Sequence, residues 1–139
     1  MDFRILCHQR QLHKWTITSS IARVSAENQI VSNLAQGGQL YKTSTLLNTL
    51  FDEKKAYHIR KLLHEVASEI VYAISQNAEG IYAELGVDLA IDEDGKPWVI
   101  EVNTKPSKLT EMANHQSRIR PSAKAIIDTC FLFSSFKER

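Results

Sequence analysis

Apolar residues recur at helical spacing between Glu53 and Asn77, where Ile59, Leu62, Leu63, Val66, Ile70, Val71 and Ile74 share one stripe. That period predicts a long helix over 53–77 that belongs to the core. Asp52 suits its N-cap, acidic residues suit its first turn, and Gly80 follows its end. His58 and His64 flank the stripe and are expected to be solvated. Elsewhere the period is two. Phe3, Ile5 and Cys7 alternate with Arg4, Leu6 and His8, which predicts a strand over 3–8. A polar connection at Gln9-Arg10-Gln11 then leads to a second strand over 12–18 and a third over 21–25, and such short connections imply antiparallel neighbours. Residues 44–51 suit a short helix capped by Ser44. Pro121 suits the first turn of a final helix that would bury Ile126, Ile127, Cys130 and Phe131 or Phe133.

The most informative stretch is Tyr82 to Ser107. Two alternating runs, 84–91 and 98–103, flank Asp92-Glu93-Asp94-Gly95-Lys96-Pro97, and an Asp-Gly pair between such runs predicts a β-hairpin. With Asp94 and Gly95 at the centre of the turn, Asp88 falls opposite Glu101, Gly86 opposite Asn103 and Glu84 opposite Lys105, all on one face. The other face pairs Ile91 with Trp98, Leu89 with Ile100 and Val87 with Val102, and is expected to pack on a core. Opposed like charges destabilise a ribbon by up to about 1 kcal/mol, so Asp88 and Glu101 need compensation. Two readings are open: a hard divalent cation held by the carboxylates and the Asn103 amide oxygen, or a solvated face neutralised by nearby Lys or Arg. Gly86, beside Asn103, is expected to let a ligand approach the backbone.

Composition narrows the class. The chain has 139 residues and a net charge of +1, enough for one domain with a real core and no electrostatic case for nucleic acid or a membrane surface. With no membrane-length apolar run and no signal-peptide pattern, a cytoplasmic setting is expected. Cys7 and Cys130 lie in apolar runs without metal-type spacing, and both are expected to be buried free thiols. The strand that begins almost at Met1 suggests a piece of something larger. Residues 25–38, SAENQIVSNLAQGG, read as a loop closed by Gly37-Gly38, which suits either an anion cradle or an ordinary turn. Strands first, then a long helix, a hairpin and a terminal helix predict an α+β fold: an antiparallel sheet with helices packed on one face and the hairpin acids on the other.

In this order the motifs resemble the C-terminal half of an ATP-grasp domain. Asp88, Glu101, Asn103 and Pro106 match the family's strand Asp followed by E-x-N and Pro. Asp2-Phe3-Arg4 resembles its D-x-R strand, Arg23 sits where glutathione synthetase and the ribosomal-protein glutamate ligase carry an arginine near the phosphates, and 32–38 resembles their R-x-N-L-x-x-G-G loop. The chain also resembles the endospore coat-associated ATP-grasp proteins of bacilli, echoed at Glu84 to Asp88, Trp98 to Pro106 and Arg120 to Ala125.

The resemblance implies Mg²⁺ (or Mn²⁺) held by Asp88, Glu101 and Asn103, and ATP phosphate contacted by Arg23. It also implies a closing loop with Asn33, Gly37 and Gly38, and Arg4 near the acceptor. Arg4 could equally pair with Glu84 or another acid of the sheet. The implied activity joins a carboxylate to an amine through an acyl phosphate, in a protein associated with the spore coat and its proteins. Its alternative is a non-catalytic coat module. Val31 replaces the loop arginine of the relatives and Ser107 their glycine. The adenine pocket and phosphate-binding lysines of the family belong to N-terminal subdomains absent here. The chain alone is therefore expected to bind ATP poorly, to be inactive, and to self-associate through apolar surface.

Overall fold

Strand alternation near the start of the chain builds a long ribbon, β1 (Asp2–Gln11) against β2 (Lys14–Val24). The computed structural model describes residues 1–25, 38–107 and 119–134. The ribbon turns at Leu12-His13, with His13 in the left-handed region at φ 59°. The turn thus falls after the polar Gln9-Arg10-Gln11, and the expected second and third strands are one strand of 11 residues. β3 (Gln39–Lys42) runs directly into α1 (Thr43–Leu50). No side chain caps α1, whose N-cap is Lys42 rather than the expected Ser44. Then come α2 (Glu53–Asn77), β4 (Glu84–Ile91), β5 (Pro97–Asn103) and α3 (Pro121–Ser134). Among the described residues the sheet has five strands in the order β3-β2-β1-β4-β5, and every neighbouring pair is antiparallel. This is the expected α+β class.

The core lies between the sheet and α2. Ala56, Ile59, Leu63, Ala67 and Val71, spaced three or four apart, are buried and join Phe3, Ile5 and Cys7 of β1 with Leu85, Val87 and Leu89 of β4 in one cluster. Two alanines on this line let the helix approach the strands closely, and each large aliphatic contributes about 1.5–3 kcal/mol by burial. Asp52 caps α2 as expected, its Oδ1 accepting from the Lys55 amide at 2.9 Å. His58 is exposed, as expected; His64 is half-buried, and burial followed by the nearby Arg60 charge lowers its pKa. Cys7 is buried and its thiol pushed up to about 12 by burial, whereas Cys130 is exposed, against expectation.

Helix α3 docks at the far end of β1. Arg10 Nη1 donates to Asp128 Oδ2 at 2.7 Å, and the Thr129 hydroxyl donates to the Gln9 carbonyl. The buried positions are Ser122, Ala125 and Thr129, not the apolar set expected; Ile127 and Phe131 are exposed. Small side chains face the strands because the polar anchors draw the helix in closely. No described helix is long and apolar enough to cross a membrane.

Candidate functional site

The hairpin reaches the expected acidic register by an unexpected route. Gly95 takes φ 86°, its amide donates to the Asp92 carbonyl at 3.0 Å, and the Asp92 amide donates to the Lys96 carbonyl at 3.1 Å. The turn therefore has three residues, Glu93, Asp94 and Gly95, rather than two. The Asp92 carboxylate holds it together by accepting from the Asp94 and Lys96 amides and from Trp98 Nε1. Next to the turn, Ile91 pairs with Pro97, Ala90 with Trp98 and Leu89 with Val99. An irregularity then leaves Ile100 as an extra residue and restores Val87 to Val102, Asp88 to Glu101 and Gly86 to Asn103. A bulge of this kind bends an edge strand. The expected pairs Ile91–Trp98 and Leu89–Ile100 do not form, and Trp98 and Ile100 are exposed on the edge strand instead of packed on the core.

Gly86 also differs from expectation. A Cβ there would lie 2.6 Å from Cβ and 3.3 Å from Cγ of the buried Pro106, so the space is filled by the chain's own proline and not left for a ligand. The chain after Asn103 folds back so that Pro106 sits over Gly86, and Leu6 Cδ2 lies 3.6 Å from the same point.

Register lines up the remaining charged residues across four strands. Asp2 on β1 is the cross-strand partner of Arg23 on β2, Arg4 is the partner of Asp88 on β4, and Asp88 is the partner of Glu101 on β5. The two-residue period puts Asp2 and Arg4 on the sheet face away from α2. Arg4 grips Asp88 by two parallel bonds, Nε to Oδ1 at 2.9 Å and Nη2 to Oδ2 at 2.6 Å. Arg23 grips Asp2 in the same way, Nε to Oδ1 and Nη2 to Oδ2, both at 2.7 Å, and its Nη2 also reaches Asp88 Oδ2 at 2.8 Å. Arg4 Nη2 lies 3.9 Å from Glu101 Oε1, which accepts from Asn103 Nδ2 at 3.0 Å.

The Asp88 side chain is 1% exposed, and burial alone would raise its pKa. The hydrogen bond from Arg4 and the charges of Arg23 and Arg4 outweigh burial and hold the carboxyl below its ordinary value. Arg23 is likewise opposed by burial, but the Asp2 hydrogen bond and the charges of Asp88 and Asp2 raise its pKa. The repulsion between Asp88 and Glu101 is thus offset by an arginine already in place. Arg4 pairs with Asp88, one of the acids of the sheet; Glu84 instead lies 3.4 Å from His8 Nε2.

Three carboxylates and two guanidiniums leave this row with one net negative charge. Its accessible oxygens are at the Glu101 end, where the side chain is 55% exposed and Asn103, donating through Nδ2, keeps its amide oxygen as an acceptor. Asp88 Oδ1 accepts a single bond and retains one lone pair, whereas Oδ2 accepts two. Glu101 and the Asn103 amide oxygen fit a divalent cation that completes its shell with water and phosphate oxygens, while Asp88, closed to solvent and held by both arginines, offers it one lone pair at most. Asn33 and Gly37 lie outside the described residues. Gly38 precedes β3, beside the end of β2, where Val24 pairs with Gln39 and Arg23 with Leu40. Asp2 received no role from the sequence; its signal was the shared face of the D-x-R strand, which acquires meaning only once β2 is paired with β1.

An antiparallel sheet carrying an E-x-N strand beside a strand Asp, with α2 over its opposite face, is consistent with part of an ATP-grasp domain. The chain belongs to the YheC/D-like ATP-grasp family, whose model matches residues 1–132. It is similar to the endospore coat-associated protein YheD of Bacillus subtilis, with 30% identity over 107 residues, which cover 77% of this chain and 23% of that protein. Similarity to the endospore coat-associated protein YheC of the same organism is 19% over 144 residues, covering 99% of this chain and 38% of YheC. The chain thus spans less than two fifths of the length of either relative. No solved structure matches it.

Proposed function

We propose that this chain is the metal- and phosphate-binding part of an ATP-dependent carboxylate–amine ligase associated with the spore coat, the family's remaining subdomains lying N-terminal to it. The observation that carries the reading is the row of Arg23, Asp2, Arg4, Asp88 and Glu101, ending in Asn103, on the face that α2 leaves uncovered. In the reaction, a substrate carboxylate oxygen takes the γ-phosphoryl of ATP, releasing ADP. An amine nitrogen then attacks the acyl carbon, expelling phosphate and giving up a proton.

The protein's part is positioning and charge stabilisation. Glu101, Asn103 and the remaining Asp88 lone pair would hold Mg²⁺ or Mn²⁺, which supplies screening of the phosphate charges when bound. Arg23, with Nη1 uncommitted among the described residues, faces phosphate. Arg4 holds Asp88 ionised and keeps a positive charge beside the acceptor. Asn33, Gly37 and Gly38 would close over the nucleotide and exclude water.

A second reading, a non-catalytic module of the spore coat, draws on one observation. Arg4 and Arg23 already counter the charge of Asp88, which leaves Glu101 facing a paired carboxylate without a cation. Differential scanning fluorimetry of the full-length protein separates the two. The ligase reading expects Mg²⁺ with ATP to raise the melting temperature, by linkage worth about 2.7 kcal/mol at 100 times Kd, and Glu101→Gln to remove most of the shift. An undiminished shift in that variant sinks the metal assignment; no shift in the wild type favours the coat module.

A further inference from the structure

Asp2 is the member of the row that the proposed reaction does not use. It stands directly across from Arg23, and its two oxygens take Nε and Nη2 of that guanidinium at 2.7 Å each. The second hydrogen of Nη2 goes to Asp88 Oδ2 at 2.8 Å. Nε and Nη2 are therefore fully committed, and the two hydrogens of Nη1 have no partner among the described residues. With the side chain 13% exposed, the guanidinium is part-buried and oriented.

We propose that Asp2 is a positioning residue that locks the plane of Arg23, so that Nη1 is presented to an oxyanion of a phosphate chain while Nη2 stays on Asp88. The proposal rests on the phosphate-binding reading of Arg23. Asp88 alone would hold Arg23 through one nitrogen, which leaves the guanidinium free to turn about that contact. The two-point fork to Asp2 removes this freedom, because parallel bonds to a carboxylate fix the plane of an arginine. A donor already oriented loses less freedom when its ligand arrives.

The sign of one substitution decides between positioning and simple charge. Asp2 is an anion in a row with a net negative charge, so on electrostatics alone its removal would make phosphate binding tighter. Positioning demands the reverse. The test is calorimetric titration of the full-length protein with inorganic pyrophosphate at fixed Mg²⁺. Asp2→Asn is expected to weaken binding roughly tenfold, the scale of one charge-assisted hydrogen bond, and to have no further effect when Arg23→Met is already present. Asp2→Glu keeps the charge but moves it by a methylene and is also expected to weaken binding; it carries the test if Asp2→Asn does not fold. Unchanged or tighter binding in whichever Asp2 variant folds overturns the proposal, as does an additive loss in the double variant.

A second measurement separates the proposal from the reading beneath it. In ¹⁵N spectra the Arg23 Nε–H is expected to be protected from exchange in the wild type and to exchange rapidly in Asp2→Asn. If Arg23→Met alone leaves pyrophosphate binding unchanged, the phosphate role of Arg23 fails and the presentation of Nη1 to phosphate falls with it. Loss of protection in Asp2→Asn would then still uphold the lock on Arg23. Protection unaltered by Asp2→Asn overturns the lock whatever the titration gives.

Discussion

Asp88 receives three charge-assisted hydrogen bonds from two arginines in a position closed to solvent. Its pKa is depressed in the folded state, so by linkage its stabilisation is fully present above the unfolded value and is lost as pH falls through the folded one. Asp88→Asn leaves the buried Arg4 and the part-buried Arg23 short of a counter-charge, and breaking such a pair typically costs about 3–5 kcal/mol. Urea denaturation at pH 7 should show a loss of that order. The gap between variant and wild type should begin to narrow as pH falls below about 4, the unfolded carboxyl's value, and close only below the lower folded one. A gap that stayed constant down to pH 2 would mean that Asp88 contributes by shape and not by charge. At this scale the sequence placed Asp88 opposite Glu101, as the strands pair them. It left the fit of the arginines open, because a guanidinium's choice among several carboxylates depends on which strands become neighbours.

The hairpin between β4 and β5 is the element that places the acids, and two local features hold its register. The Asp92-centred turn sets the first three pairs, and the extra Ile100 shifts the strand by one residue, so that Glu101 comes opposite Asp88. Neither the three-residue turn nor the bulge was expected, and the displacement made by one is undone by the other. Gly86 holds the second strand end from beneath by making room for Pro106. Gly86→Ala would drive a methyl against that ring and should cost about 1–3 kcal/mol, the usual penalty of overpacking. Pro106→Gly, which removes the Cβ that the methyl would meet, should relieve part of it, a non-additivity readable in a double-mutant cycle. Within α2, Leu63 has no exposed surface, and Leu63→Ala is expected to lose about 2–5 kcal/mol in equilibrium unfolding. The helix was legible from its stripe and its cap, as a local period of 3.6 needs no partner to be recognised.

Across the whole molecule, polar and apolar surfaces are distributed unevenly. The charged row sits on the face that α2 leaves uncovered, while Trp98, Val99 and Ile100 form a contiguous exposed apolar run on the edge strand, each more than half exposed. An apolar edge with unpaired backbone groups favours pairing between chains. We expect concentration-dependent association of this chain alone in sedimentation velocity, and its reduction by Ile100→Lys; equal association in that variant would direct attention to the exposed Ile127 and Phe131 of α3. The family and the α+β class were both legible in the sequence. The helix α3 was legible only as a helix, because its burial is decided by Arg10 and Gln9, more than 110 positions away in the chain.

What the sequence determined by itself is the set of local commitments: the α2 stripe with its Asp52 cap, the alternation of β1 and β4, and the opposition of Asp88 and Glu101. The first two follow from periods and a cap that short stretches of chain specify alone; the third survives because the bulge at Ile100 cancels the displacement of the three-residue turn. Tertiary structure decided the rest. It gave Arg4 to Asp88 and Arg23 to Asp2, filled the space above Gly86 with Pro106, and turned Trp98 and Ile100 of β5 outward. Such outcomes depend on which strand lies beside which, and burial and charge pairing fix that order only when the whole sheet has formed.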